Sequence, residues 1–500
     1  MRADRRRDSA AAGAEKGADE EGADEGAALT LRVHQNKYLP TAAGRTEMHA
    51  VLSVEARGLG PAAARTAASE VIVIDCSGSM SWPPTKIAAA RRATATAVGI
   101  LRDGTRFAIV EGTEQAQVVY PFTGGMAVAG PDTKAAAARV AARLPAVGGT
   151  AIGSWLDLAR RLHLRQPAAI RHTLLLTDGR NEHDDPGYLD QVLDSCAPCF
   201  TCDARGIGDG WDAAELKRIV RRLHGKADAV LDDSALTAEF EEMVSASMAK
   251  ALAGVRIRIR TRAGSRVGFV KQVHPTRVDL TDEGTRPDER TWECRTAAWG
   301  DETREYQVGV LADPAGDPSG EDVELAAVDL TVDGDATLPP PEPQSVLVQW
   351  TDDPLLSSRI DPRLAHYDAN SALGHAITAG CDAYEAGDRE EARAQWGRAV
   401  RLAHELGHER TLDRLRGLVH IVDAATGEVR IREPIRPLDL NSAMILSEES
   451  VRFTGVLPME PAAPPGPDLV CPVCERHSPA GAAFCQQCQT PLRADPGGAG

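Results

Sequence analysis

Five oxygen-bearing side chains stand in three short words of this chain of 500 residues. Asp75, Ser77 and Ser79 form an Asp-x-Ser-x-Ser run, Thr150 closes a Gly-Gly-Thr turn, and Asp178 follows Leu174-Leu175-Leu176-Thr177. Carboxylates and hydroxyls are the ligands that hard divalent ions take. Mg²⁺ usually keeps several waters, so a few such groups make a site with one position left open; Mn²⁺ and Ca²⁺ are the alternatives. Sulfur forms a second set: Cys471-Pro-Val-Cys474 and, ten residues on, Cys485-Gln-Gln-Cys488. Four thiolates in two Cys-x-x-Cys knuckles suit tetrahedral Zn²⁺ in a closed, structural site, which stabilises a segment too short for a core of its own. A third word, His404-Glu405-Leu-Gly-His408, matches the His-Glu-x-x-His of zinc peptidases. Gly407 stands where the amphipathic stretch 392–406 ends, as a helix-terminating glycine would, so the letters fit and the context does not. Cys196, Cys199 and Cys202 are closely spaced but only three; Asp203 or His183 could complete a site, and buried thiols are the plainer expectation.

The elements that must position these groups follow from hydrophobic period. Val71 to Ile74 reads as a strand buried on both faces, with the Asp-x-Ser-x-Ser loop at its C-terminal edge and a helix over 87–101 after it. Through 68–250 strands and helices alternate, which calls for a mostly parallel, doubly wound sheet with ligands at the strands' C-terminal ends. Gly206-Ile-Gly208-Asp-Gly-Trp-Asp212 lacks the spacing of a dinucleotide fingerprint. Over 254–350 the period becomes two. Val255-Arg-Ile-Arg-Ile-Arg-Thr-Arg262 presents a charged face, read as a solvated sheet face before a basic ligand stripe. Strands in 28–67 and 254–350 are expected to form a β-sandwich-like frame into which the α/β domain is inserted. Residues 361–456 read as a helical region with a β-hairpin, 457–468 as a proline-rich linker, 469–492 as the zinc-binding unit, and 1–27 as an acidic, disordered start.

The words Asp75-Cys-Ser77-Gly-Ser79, Thr150 and Asp178, in that order and context, resemble the metal-ion-dependent adhesion site of the von Willebrand factor A family. The resemblance implies that Ser77, Ser79 and Thr150 approach the ion directly, that Asp75 and Asp178 bind it directly or through water, and that a carboxylate of a partner protein takes the open position. The cysteine knuckles resemble a small zinc ribbon, with Glu475 and Gln489 where that family often carries glycine. The whole arrangement is similar to bacterial intracellular von Willebrand A proteins associated with Ser/Thr kinases, phosphatases and forkhead-associated proteins.

Composition narrows the remaining classes. With 56 basic against 73 acidic residues the net charge is −17, which disfavours a general nucleic-acid or anionic-membrane surface. No uninterrupted apolar stretch reaches bilayer length, and the start lacks a signal-peptide core. No nucleophile elbow or phosphate loop occurs. The expected function is therefore a non-enzymatic, cytoplasmic protein-binding scaffold of a signalling or stress assembly, with a zinc metallopeptidase using His404, Glu405 and His408 as the alternative.

Overall fold

Every residue of Ala68–Asp75 is buried, and its side chains divide by parity between two apolar clusters. Val71 and Val73 pack with helices Ile152–Leu164, Tyr188–Cys196 and Ala213–Arg222. Ile72 and Ile74 pack with Pro84–Ile100, Pro131–Ala141 and Leu236–Met248 on the other face. A strand covered on both sides has no use for polar alternation, which is why its sequence is a continuous apolar run. It pairs in parallel with Arg106–Gly112 on one side and Ile170–Thr177 on the other. Thr201–Ile207 and Ala227–Val230 extend the parallel sheet, and Ala116–Tyr120 closes the opposite edge antiparallel. This is a computed structural model, and it describes residues 26–333, 338–455, 469–478 and 492. Nearly all of 1–27, all of 457–468 and most of 469–492, Cys485 and Cys488 included, lie outside the described residues.

Two further sheets flank this lobe in sequence. Thr46–Arg57 and Glu302–Ala312 form the centre of a five-stranded sheet, and Val255–Thr261 and Asp322–Val332 the centre of a six-stranded one. Their apolar residues meet in one cluster around Trp292, Trp299 and Trp350. The chain enters the doubly wound lobe after Thr46–Arg57 and leaves it into Val255–Thr261. On the latter strand Arg256, Arg258 and Arg260 interleave with Glu293, Asp329 and Asp333 of neighbouring strands. The charged face is thus neutralised across the sheet, and no basic stripe is left for a ligand.

Helices Pro362–Glu385 and Arg389–Glu405 pack as a pair over Trp396, followed by Glu409–Leu415 and the hairpin Val419–Asp423 with Glu428–Ile431. Helix Pro437–Leu446 has no polar face to mark it in the sequence, because it is used on several sides. Its Leu438 and Ile445 belong to the core of the doubly wound lobe, while Ala443 belongs to the helical one. Lys217 Nζ donates to Met444 O (3.2 Å), and Arg221 pairs with Glu448. Among the described residues no helix is long and apolar enough to cross a membrane.

At the N-terminal edge of the parallel sheet, His172 lies between two carboxylates, with Nδ1 2.7 Å from Glu70 Oε1 and Nε2 3.2 Å from Asp203 Oδ2. Burial alone would lower its pKa; the two facing carboxylates outweigh it and raise the imidazole to about 10. Ser247, on the last helix of the lobe, donates to the other Glu70 oxygen (3.1 Å), so the network ties that helix to the sheet.

Candidate metal centre

The three oxygen words converge at the C-terminal edge of the parallel sheet, where Ala68–Asp75 and Ile170–Thr177 lie side by side and the chain's winding reverses. Connections leave neighbouring strands in opposite directions there, so a crevice opens between their ends. Asp75 is the last residue of its strand and fully buried. One of its oxygens accepts the Ser77 N–H (2.9 Å), the other the Thr177 hydroxyl (2.7 Å) and the Asp178 N–H (3.3 Å). Asp178, 1% exposed, accepts the Ser79 hydroxyl on Oδ1 at 2.7 Å, with the Ser77 hydroxyl 3.5 Å away. The two serine oxygens are 2.9 Å apart. Thr150 reaches the same place: a Cβ built on Gly179 would lie 3.1 Å from its Oγ1.

These spacings suit a hard ion. Adjacent oxygens around an octahedral Mg²⁺ stand roughly 3 Å apart, and the donors are oxygen throughout. Electrostatics agree: burial, joined by the facing Asp178 carboxylate, raises Asp75 to about 6 despite the hydrogen bonds that it accepts from Ser77 and Thr177. Two carboxylates are thus held together in a buried crevice, an arrangement that a cation relieves. Cys76, between Asp75 and Ser77 in sequence, faces the core and is pushed well up by burial, so its sulfur stays a thiol in the apolar layer.

Three neighbours were not placed at this site by the sequence reading, which named His183 only beside the cysteine group. Lys86, on the first turn of Pro84–Ile100 and 8% exposed, pairs with Asp178 through the oxygen turned away from Ser79, and its stem runs past Gly208. His183 accepts the Thr150 N–H on Nδ1 (3.2 Å) and lies over Gly149, where a Cβ would meet its ring at 2.4 Å; this is why the turn reads Gly-Gly-Thr. Glu114, exposed, accepts the Gly149 N–H (2.6 Å). Position on the first helical turn was the one available signal for Lys86, since eight residues separate it from Ser77. The loop Gly208 to Asp212 backs the site, with the Cβ position of Gly210 only 2.6 Å from Asp178 O.

The remaining sequence candidates are dispersed. Helix Arg389–Glu405 ends before His408, Gly407 takes φ +66°, and His408 starts the next helix, its Nδ1 2.9 Å from Thr411 Oγ1. His404 and Glu405 are exposed while His408 is buried, so the peptidase word does not present two histidines on one helical face. Cys196 and Cys202 are buried in the core, Asp203 is committed to His172, and His183 sits at Thr150. Among the described residues no group of three or more His, Cys, Asp or Glu could hold a metal. The first cysteine knuckle is formed locally: Val473 N–H points at Cys471 Sγ (3.5 Å), Glu475 N–H donates to Cys471 O (2.9 Å), and Glu475 takes φ +57°. That left-handed position is the one where glycine is common, so the non-glycine residue adopts the turn at some cost.

Comparison with known proteins gives the following. The model of the von Willebrand factor type A domain matches residues 70–229, and that of the von Willebrand factor type A C-terminal domain matches 401–446. A solved structure, the von Willebrand factor type A protein from Catenulispora acidiphila, is 37% identical, covers 85% of this chain and 97% of its own, and superposes with a TM-score of 0.78. The ArnB paralog VWA2 from Sulfolobus acidocaldarius shares the fold at 12% identity, with a TM-score of 0.51 over 84% of this chain and 98% of that one. The uncharacterised protein sll0103 of Synechocystis is 26% identical over 219 residues, 42% of this chain; the match spans about half (49%) of that curated relative.

Proposed function

Because the chain belongs to the von Willebrand factor type A family, we propose that it is a non-enzymatic scaffold that docks a partner protein through a divalent ion held by Asp75, Ser77, Ser79, Thr150 and Asp178. The observation that carries this reading is the gathering of these five side chains, from three distant segments, around two buried carboxylates at one crevice. Mg²⁺ suits so few protein oxygens best, with Mn²⁺ or Ca²⁺ as substitutes. A bound ion would supply an open position for a carboxylate oxygen of the partner. The chain's own groups set the rest: Thr177 and the Ser77 N–H hold Asp75 in place, Ser79 and Lys86 hold the two oxygens of Asp178, and His183 fixes the Thr150 turn.

The setting we propose is a bacterial cytoplasmic signalling or stress-response assembly, with a Ser/Thr kinase, phosphatase or forkhead-associated protein among the partners. For Cys471, Cys474, Cys485 and Cys488 we propose structural Zn²⁺; the sulfur-directed N–H at Cys471 supports it. The peptidase alternative is disfavoured by the break between His404 and His408.

The test is partner capture with wild type and Asp75→Ala, each with Mg²⁺ and with chelator, alongside calorimetric titration of Mg²⁺. Wild type with Mg²⁺ should retain partners that the other three conditions lose. The same partners in all four conditions would refute the docking ion.

A further inference from the structure

Of seven tryptophans in the chain, six are among its most deeply buried side chains, and the seventh, Trp82, is 78% exposed. Trp82 follows the metal loop directly, and its N–H donates to Ser79 O (3.3 Å). A second large apolar side chain, Val147, is 65% exposed and pinned to the same loop: its N–H donates to Cys76 O (2.6 Å), and Gly78 N–H donates to Gly148 O (2.9 Å). Trp82 on the loop that carries Ser77 and Ser79, and Val147 on the segment bonded to it, add little buried apolar area to the fold, and apolar groups rimming a polar centre are how binding surfaces are built. Of the exposed charged side chains nearby, Arg180 is paired with Asp212 (3.9 Å), and two acids have no such ion pair among the described residues. Glu114 is exposed beside Gly149, and Glu182, also exposed, donates its N–H to Thr150 O (3.2 Å). Around them the whole chain carries −17.

We infer that the partner presents its carboxylate on an extended segment in which one Asp or Glu is flanked by bulky apolar side chains, rather than on an acidic run. This rests on the docking-ion reading. The single carboxylate meets the ion, the flanking side chains cover Trp82 and Val147, and further acids would face Glu114, Glu182 and the net negative charge. Specificity then comes from two requirements that no acidic tail satisfies together.

The test uses three blocked pentapeptides: Gly-Gly-Asp-Gly-Gly, Gly-Leu-Asp-Leu-Gly and Gly-Asp-Asp-Asp-Gly. Each is titrated to millimolar concentration in excess Mg²⁺, following protection of tryptophan fluorescence from acrylamide. Because the other six indoles are buried, the quenchable signal belongs to Trp82. Partial burial of two leucines should make the leucine peptide bind about 10-fold tighter than the glycine peptide, and the triple-Asp peptide should bind no tighter than the glycine one. In Trp82→Ala and Val147→Ser, read by calorimetry, the preference should fall toward onefold with Mg²⁺ affinity unchanged. Equal binding of the leucine and glycine peptides, or tightest binding of the triple-Asp peptide, overturns the inference and leaves the docking ion standing. If no peptide binds although Mg²⁺ does, the docking reading falls, and this inference with it.

Discussion

Replacing Lys86 with methionine keeps the length of a buried stem and deletes its charge, and it should move two affinities in opposite directions. The centre now holds two carboxylates and one ammonium, a net charge of −1, because Lys86 pairs with Asp178 at 10% and 0% side-chain exposure. A divalent ion would bring it to +1. Without Lys86 the same sum runs from −2 to 0. If ammonium and ion stood roughly 5 Å apart across the Asp178 carboxylate, their gross repulsion at an effective dielectric of about 20 would be roughly 7 kcal/mol. Water and rearrangement reduce the measurable part to roughly 1–3 kcal/mol, about 10- to 100-fold in an equilibrium constant. Lys86→Met should therefore bind Mg²⁺ about 10- to 100-fold more tightly by calorimetry. The loaded site, having lost its positive charge, should bind a carboxylate peptide at least several-fold more weakly. In chelator the variant should melt earlier than wild type, because Asp178 is left buried and unpaired, and Mg²⁺ should restore more of its stability than it adds to wild type. Unchanged or weaker Mg²⁺ binding in Lys86→Met would refute the charge reasoning.

Alkaline pH tests the opposite edge of the sheet. His172, raised from 6.5 to about 10 by Glu70 and Asp203, contributes stability that is fully present below pH 6.5 and is lost as pH rises through about 10. Urea midpoints should fall across that window, and Glu70→Gln should flatten the fall. Leu438→Ala should cost about 2–4 kcal/mol, and since Leu438 packs in the doubly wound core, circular dichroism and tryptophan fluorescence should report an earlier transition. Zinc content per chain should drop by one atom in Cys471→Ser and stay unchanged in His404→Ala; loss of zinc in the latter would revive the peptidase.

The parts of this protein legible in its sequence are those where local chemistry and period agree. Val71 to Ile74 reads as a doubly covered strand, and a polar Asp-x-Ser-x-Ser loop at its end marks the crevice edge before any coordinate is known. Helices such as Pro84–Ile100 and Ile152–Leu164 follow from their apolar spacing. Gly407 likewise announced the helix end that takes His404 and His408 apart. Tertiary structure alone decided what depends on groups far apart in sequence. It brought Lys86 onto Asp178, set Glu293 and Asp329 between the arginines of Val255–Thr261, and sank Leu438 into a core more than two hundred residues upstream. Local pattern reports the burial that a segment needs and leaves the partner that supplies it unspecified. The charges and apolar faces of this chain were therefore readable one by one, and their pairing was decided only by the tertiary fold.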